Sequence, residues 1–361
     1  MMIEVHCEYI RRNAEIIADM CAAHGIQVVG VTKACCGHPG VARAMLAGGL
    51  GMLADSRLRN MRRLRDAGIA APFMLLRLPC LSEVDEVVRL TQVSLNSEVE
   101  TVRALSGAAQ AQGVTHRVIL MVETGDRREG VMPDQALETA RAMLGLAGID
   151  LVGIGTNLAC VGGVLPTRDN MQLLVDVAED IERTLGIRFQ VISGGHTANL
   201  GLVERGEIPQ RVNQLRIGEA ILMGMDITTN RLLPYLYQGA FNVVAEVIEI
   251  KTKPSLPAGL IAVDAFGRAP CWEDLGLRRR AILSIGEQDL RTQGLRPKRP
   301  GVTIVGASSD HLVVDVTDAN PPVHMGEELT FDPLYIAVAT GMASAGVVQA
   351  IRPVEEVSHG G

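Results

Sequence analysis

Two cationic side chains stand where a charge is hard to place by chance. Lys33 follows directly on the apolar run Gln27–Thr32, in VGVTKACCG. A primary amine there can condense with a carbonyl to a Schiff base, and desolvation can lower its pKa until it acts as a base. The plain alternative is an ammonium that reaches solvent or pairs with a carboxylate. Arg216 lies in the apolar run Gln214–Gly218, where an unpaired charge is expensive. Either an internal partner neutralises it, or its permanently protonated guanidinium donates to an acceptor such as the ring nitrogen of a bound cofactor. Two loops complete the set. SGGHTANL (193–200) and LRIGEAILMG (215–224) combine small residues with a hydroxyl, and backbone N–H groups in such turns can hold a phosphate. A glycine-rich loop alone is more often only a turn.

These residues need elements to position them. Short apolar runs at Gln27–Thr32, Gly51–Ala54, Phe73–Leu76, Val93–Leu95, Val118–Glu123, Leu151–Thr156, Phe189–Ser193 and Gln214–Gly218 read as strands. Helical stripes lie between them: Ile10, Ala14, Ile17 and Cys21 form one, and Met171, Leu174, Ala178, Ile181 and Leu185 another. Eight strands alternating with helices predict an α/β fold, an N-terminal (β/α)8 TIM barrel over residues 1–236, with a doubly wound open sheet as the alternative. In such a barrel functional groups gather at the C-terminal strand ends, and phosphates at the last two loops. Arg77, Asn96, Arg128 and Asn157 also fall at or just beyond strand ends.

From 237 to 361 the texture is that of a mainly-β C-terminal domain, with runs at Phe241–Ile250, Gly259–Phe266, Arg280–Ile285, Val302–Val305, His311–Val316 and Glu328–Phe331. Leu290–Pro300 reads as a polar loop, and the tail after Ile351 as poorly ordered.

Composition excludes several classes. A net charge of −7 with scattered arginines offers no field for a nucleic-acid backbone. No apolar run approaches the roughly 18–20 residues that cross a bilayer, and the first residues lack a signal-peptide pattern. Seven cysteines in no regular framework suit a reducing cytoplasm, and no Cys/His spacing suggests a metal.

Five segments in order resemble the fold-type III pyridoxal 5′-phosphate (PLP) family that contains alanine racemase: VGVTKACCG, ETGDRREG (123–130), SGGHTANL, LRIGEAILMG and VGASSDHLVVDVTD (305–318). LLRLPCLSEVDEVV, SLNSEVETVRALS, GIGTNLACVGGVLPT and VDAFGR are similar to its ornithine racemase branch. The resemblance implies that Lys33 carries PLP and moves a proton at the substrate's α-carbon. It implies that Arg216 faces the ring nitrogen, that Thr197, Gly218 and Glu219 hold the phosphate, and that Arg128 binds substrate. A homodimer with shared active sites, acting on a free amino acid, is implied as well.

Three departures bear on mechanism. ACCGHPG replaces the family's tyrosine-containing segment after the lysine. Asn157 stands where a histidine lies against the ring. Glu287, in GEQDL, stands where alanine racemase has its second base, a tyrosine. A racemase needs a proton carrier on each face of the α-carbon, so Asp310 and His311 become candidates for the second, with Tyr335 a further one. The ornithine branch implies a basic substrate, whose cation Glu287, Asp289 or Asp310 can meet. Alternatives are an alanine or broad-specificity racemase, a PLP decarboxylase or D-amino-acid aldolase, a cofactor-free Schiff-base aldolase and a non-catalytic PLP-binding protein.

Overall fold

A computed structural model describes residues 1–264 and 266–354. The chain divides into two compact units: Cys7–Gln238 in one, and Met1–His6 with Gly239–Arg352 in the other.

The first unit is a closed barrel. With β1 at Met2–His6 assigned to the other unit, its eight strands are β2 (Gln27–Val31), β3 (Leu53–Asp55), β4 (Phe73–Leu75), β5 (Val93–Asn96), β6 (His116–Met121), β7 (Ile149–Gly155), β8 (Val191–Ser193) and β9 (Gln214–Ile217). All pair in parallel, and the β2–β9 pairing closes the ring, which rules out the open sheet. Each of the eight sequence-derived runs overlaps one strand. Val29 and Val31, Val93 and Leu95, and Ile119 and Met121 alternate into one buried aliphatic cluster with Ala54, Met74 and Val152. That two-residue period is how a strand sends one set of side chains inward. Gly153 permits a close strand approach, since a Cβ there would stand 2.3 Å from Val191 O.

Helices cover the barrel through stripes visible in the sequence. In α1 (Cys7–Ala22), Ile10, Ala14, Ile17 and Cys21 are buried. Then come α2 (Pro39–Ala47), α3 (Leu58–Asp66), α4 (Val84–Leu90), α5 (Val99–Gln112), α6 (Ala136–Leu144) and α7 (Arg168–Leu185). Thr167 and Asn170 form a capping box that starts α7. The short α8 (Leu200–Glu204) and α9 (Glu219–Met223) follow β8 and β9, and a hairpin of β10 (Met225–Asp226) and β11 (Arg231–Leu232) comes next.

The second unit is a sheet in the order β14 (Leu295–Pro297), β17 (Glu328–Pro333), β12 (Phe241–Pro254), β13 (Leu277–Leu283), β16 (Leu312–Asp315), β15 (Thr303–Ala307). All of these pairings are antiparallel. β1 pairs antiparallel with β12 and parallel with β18 (Val348–Arg352), and α10 (Tyr335–Gly341) follows β17.

Three expectations are corrected here. The described residues of Gly259–Phe266 form no strand: Leu260, Ile261 and Val263 are exposed, and no neighbouring backbone pairs with them. Leu290–Pro300 holds a 3-10 turn and the edge strand β14, where Pro297 is tolerated because one side of an edge strand needs no N–H. Arg352 still belongs to β18, while residues 355–361 of the expected disordered tail lie outside the described residues.

Candidate functional site

At the end of β2 the chain makes one 3-10 turn, Lys33–Cys35. Gly37 N–H donates to Thr32 O at 3.2 Å and Cys36 N–H to Lys33 O at 3.3 Å, with Cys36 left-handed at φ 51°. Lys33 is solvent-accessible overall, yet protein crowds its amine end. Burial therefore lowers the amine pKa, with the Arg128 and Arg216 guanidinium groups acting in the same direction; Cys160 and Asp55 oppose them. Among the described residues no hydrogen bond or ion pair engages the amine.

Arg216 in β9 is buried and held by three oxygens from two chain segments. It donates to Ser193 Oγ, to Thr156 O at 2.8 Å and to Asn157 Oδ1 at 2.7 Å. Ser193 Oγ donates onward to Gln214 Oε1 at 3.0 Å. Asn157 Nδ2 donates to Glu129 Oε1 at 2.5 Å, and Arg128 binds both Glu129 oxygens. Burial depresses the Arg216 pKa to about 10, with Glu129 opposing the shift, so the group stays cationic near neutrality. Its Nε–H has no acceptor among the described residues. Arg128 also donates to Cys160 Sγ at 2.9 Å. The buried Asp126 carboxylate accepts the amides of Cys160 (3.0 Å), Val161 (2.9 Å) and Val164 (3.4 Å), which pins the loop after β7.

Two turns meet at the ends of β8 and β9. Thr197 Oγ1 accepts the Ala220 N–H at 3.2 Å, which leaves the hydroxyl hydrogen free to donate. His196 Nδ1 accepts the Ala198 N–H at 3.4 Å, so the proton sits on Nε2, which donates to Leu158 O at 2.7 Å. Burial holds the His196 pKa down at about 4, fixing the neutral ring. A Cβ at Gly218 would stand 2.9 Å from Val31 O, so this position admits no side chain while β9 lies against β2. Glu219 Oε1 accepts the Ile227 N–H at 2.6 Å, and burial, helped by Asp226, raises its pKa to about 7 against the pull of that bond and of Lys33.

In the other unit, distant residues are brought together. The turn Gly286–Leu290 runs along 308–310: Glu287 N–H donates to Ser308 O and Gln288 N–H to Ser309 O, both at 3.0 Å. A Cβ on Gly286 would stand 2.2 Å from Ser309 O. Asp310 and His311 are exposed at the tip of the β15–β16 hairpin, with Ser309 Oγ donating to Asp310 at 2.5 Å. Asp289 accepts the Gly286 N–H at 2.9 Å. The Glu287 side chain is only 3% exposed; it accepts from Thr292 Oγ1 at 2.6 Å and pairs with Arg268 (3.6 Å) and Arg291 (3.8 Å). Tyr335 opens α10. In the C-terminal motif, Asp315 and Asp318 clamp Arg278, a structural ion pair.

Of the other strand-end residues, Arg77 pairs with Glu83 at 2.9 Å, whereas Asn96 is buried with its Oδ1 unpartnered. Sequence reasoning passed over Glu129, His196 and Asp55. Glu129 directly follows Arg128 in a motif position that tolerates any residue. Asp55 was missed because the run read as a strand stops at Ala54, one residue short.

A closed parallel barrel with an unengaged amine after its first strand, a buried arginine on its last and a separate antiparallel sheet defines the alanine racemase class of fold. Residues 5–226 match the family description "Alanine racemase, N-terminal domain". The chain belongs to the alanine racemase family. It is 41% identical to the lysine racemase of Thermotoga maritima over 97% of this chain and 98% of that one. It is 37% identical to the ornithine racemase of Acetoanaerobium sticklandii over 95% and 97%. Among solved structures, an alanine racemase from Streptomyces lavendulae superposes with a TM-score of 0.76 at 18% identity, covering 99% of this chain and 98% of that one. A D-threonine aldolase from Filomicrobium marinum gives 0.74 at 18%, covering 94% and 88%. At that identity the structures speak for the fold alone.

Proposed function

We infer that this chain is a PLP-dependent racemase of a free basic amino acid, lysine or ornithine. What carries the reading is the Lys33 amine at the barrel rim: among the described residues no hydrogen bond or ion pair engages it, and burial lowers its pKa toward the neutral form that condenses with a carbonyl. Near-full-length similarity to a lysine racemase and an ornithine racemase supports the substrate class.

The residues present fit the cofactor. Lys33 supplies the amine and Arg216 a spare Nε–H for a ring nitrogen. Thr197 offers a free hydroxyl hydrogen beside the Gly218–Glu219 turn for the phosphate. Bound PLP would delocalise the electron pair left when the α-proton departs. Lys33 serves one face only: it takes the α-proton from one enantiomer and delivers one when that enantiomer is the product. Asn157 holds the Arg216 guanidinium, and Arg128 offers its charge to the substrate carboxylate. We assign the opposite-face proton transfer to Asp310 and His311, and recognition of the distal ammonium to Glu287 and Asp289. The pairing of Glu287 with two arginines makes Asp289 the less committed carboxylate of the two.

The active species is proposed to be a homodimer with shared sites in the cytoplasm, where all seven cysteines stay as free thiols. No helix among the described residues is long and apolar enough to cross a membrane.

The test is chemical. Incubation with PLP, borohydride reduction and peptide mapping should place the cofactor's mass on the Lys33 peptide. Lys33→Ala should lose both that label and the racemisation of L-lysine and L-ornithine followed by chiral chromatography. Full labelling elsewhere, or racemisation retained in Lys33→Ala, refutes the assignment.

A further inference from the structure

Asp55, the last residue of β3, is only 1% exposed. Its Oδ2 accepts from Thr32 Oγ1 at 2.7 Å; its Oδ1 accepts from Asn60 Nδ2 at 2.9 Å and Arg57 N–H at 3.0 Å. No cation lies within ion-pair distance among the described residues. Thr32 immediately precedes Lys33, and its own N–H donates to Ala54 O at 2.9 Å. The turn carrying the amine is therefore fastened twice to the end of β3. Asn60 also lies against that turn, since a Cβ on Gly37 would be 2.8 Å from Asn60 O.

Burying a carboxylate without a contacting cation is unfavourable. The fastening alone does not need the charge, because an asparagine oxygen accepts the same backbone N–H and a threonine hydroxyl can donate or accept. Burial raises the Asp55 pKa, against the pull of the hydrogen bonds from Thr32, Asn60 and the backbone; where the carboxyl is ionised, it adds a field on Lys33. The charged and titratable groups around that amine are Cys160, Arg128, Arg216, His196, Glu219 and Asp55. The two guanidinium groups weaken its hold on a proton, and Asp55 acts against them.

We propose that Asp55 is a positioning residue for Lys33: buried beneath the turn that carries the amine, its carboxyl fixes that turn through Thr32 and sets an acidic group beside an amine that lies among guanidinium groups. This rests on Lys33 being the functional amine, but its first readout needs no cofactor.

Full-length protein, freed of bound carbonyl compounds, is methylated with formaldehyde and cyanoborohydride across a pH series, and the Lys33 peptide is followed by mass spectrometry. Asp55→Asn should move the Lys33 midpoint down by roughly one pH unit, about tenfold in rate below the wild-type midpoint. A purely structural role would leave that midpoint in place. Thr32→Val keeps the charge and removes the tie; it should hold the midpoint but slow PLP capture at Lys33 by roughly tenfold, with Thr32→Ser restoring it. A folded Asp55→Asn with the wild-type profile overturns the proposal, as does wild-type capture in Thr32→Val. If Asp55→Asn does not fold, the capture rates of the Thr32 variants decide. A shifted Asp55→Asn midpoint, with no PLP ever captured at wild-type Lys33, supports the Asp55 role and overturns the cofactor reading instead.

Discussion

At the scale of single residues, the site is built by burying groups that water would otherwise satisfy. Arg216 keeps its charge because three oxygens receive its N–H groups. His196 stays neutral because burial disfavours the charged ring, with Nδ1 already accepting the Ala198 N–H. Glu219 is the outlier, a carboxyl raised to about 7 chiefly by burial. A folded-state pKa above the reference value of 4.5 means that folding favours the protonated form. Its stabilising contribution is therefore complete below about 4.5 and is lost as pH rises through about 7. Glu219→Gln should thus gain on the wild type between those limits, by up to roughly 3 kcal/mol, and level off above. Urea unfolding of cofactor-free protein at pH 5 and pH 8 measures this; an equal difference at both pH values would contradict it.

At the scale of elements, loops are fixed by short local devices rather than by a large core. The Asp126 carboxylate gathers three amides of the loop after β7, and the Thr167–Asn170 capping box starts α7 just beyond it. Thr167→Ala should cost about 1 kcal/mol in unfolding free energy, since a side-chain cap is lost from an otherwise unsatisfied N–H. Because that cap is exposed and separate from the Asp126 loop contacts, PLP capture at Lys33 should be unchanged. A loss of capture would show that the helix start and the rim are coupled. The sequence displayed the helices and barrel strands through their periods. It did not display β1, β14 or β18, because each is short and takes its meaning from a partner far along the chain, such as Val244 opposite Met2.

At the scale of the whole molecule, the segment between β12 and β13 presents Leu260, Ile261, Val263 and Leu275 to solvent, more apolar side chain than a lone surface usually displays in one stretch. The proposed homodimer gives those residues a place to bury. Sedimentation should report twice the chain mass, and Leu260→Asp with Ile261→Asp should shift it toward the single chain; a monomeric wild type would remove the proposal. The sequence by itself determined the alternation of eight apolar runs with helical stripes, and the positions of Lys33 and Arg216 at strand ends. Both follow from local periodicity and from the cost of placing charge beside apolar runs. Only tertiary structure decided that the sheet closes and that Asn157 bridges Arg216 to Glu129. It likewise decided that Asp55 lies under the Lys33 turn and that Glu287 packs beside residues 308–310. Those contacts join segments 20 to 60 residues apart or more, and a separation that long leaves no period in the chain, only a distance that folding sets.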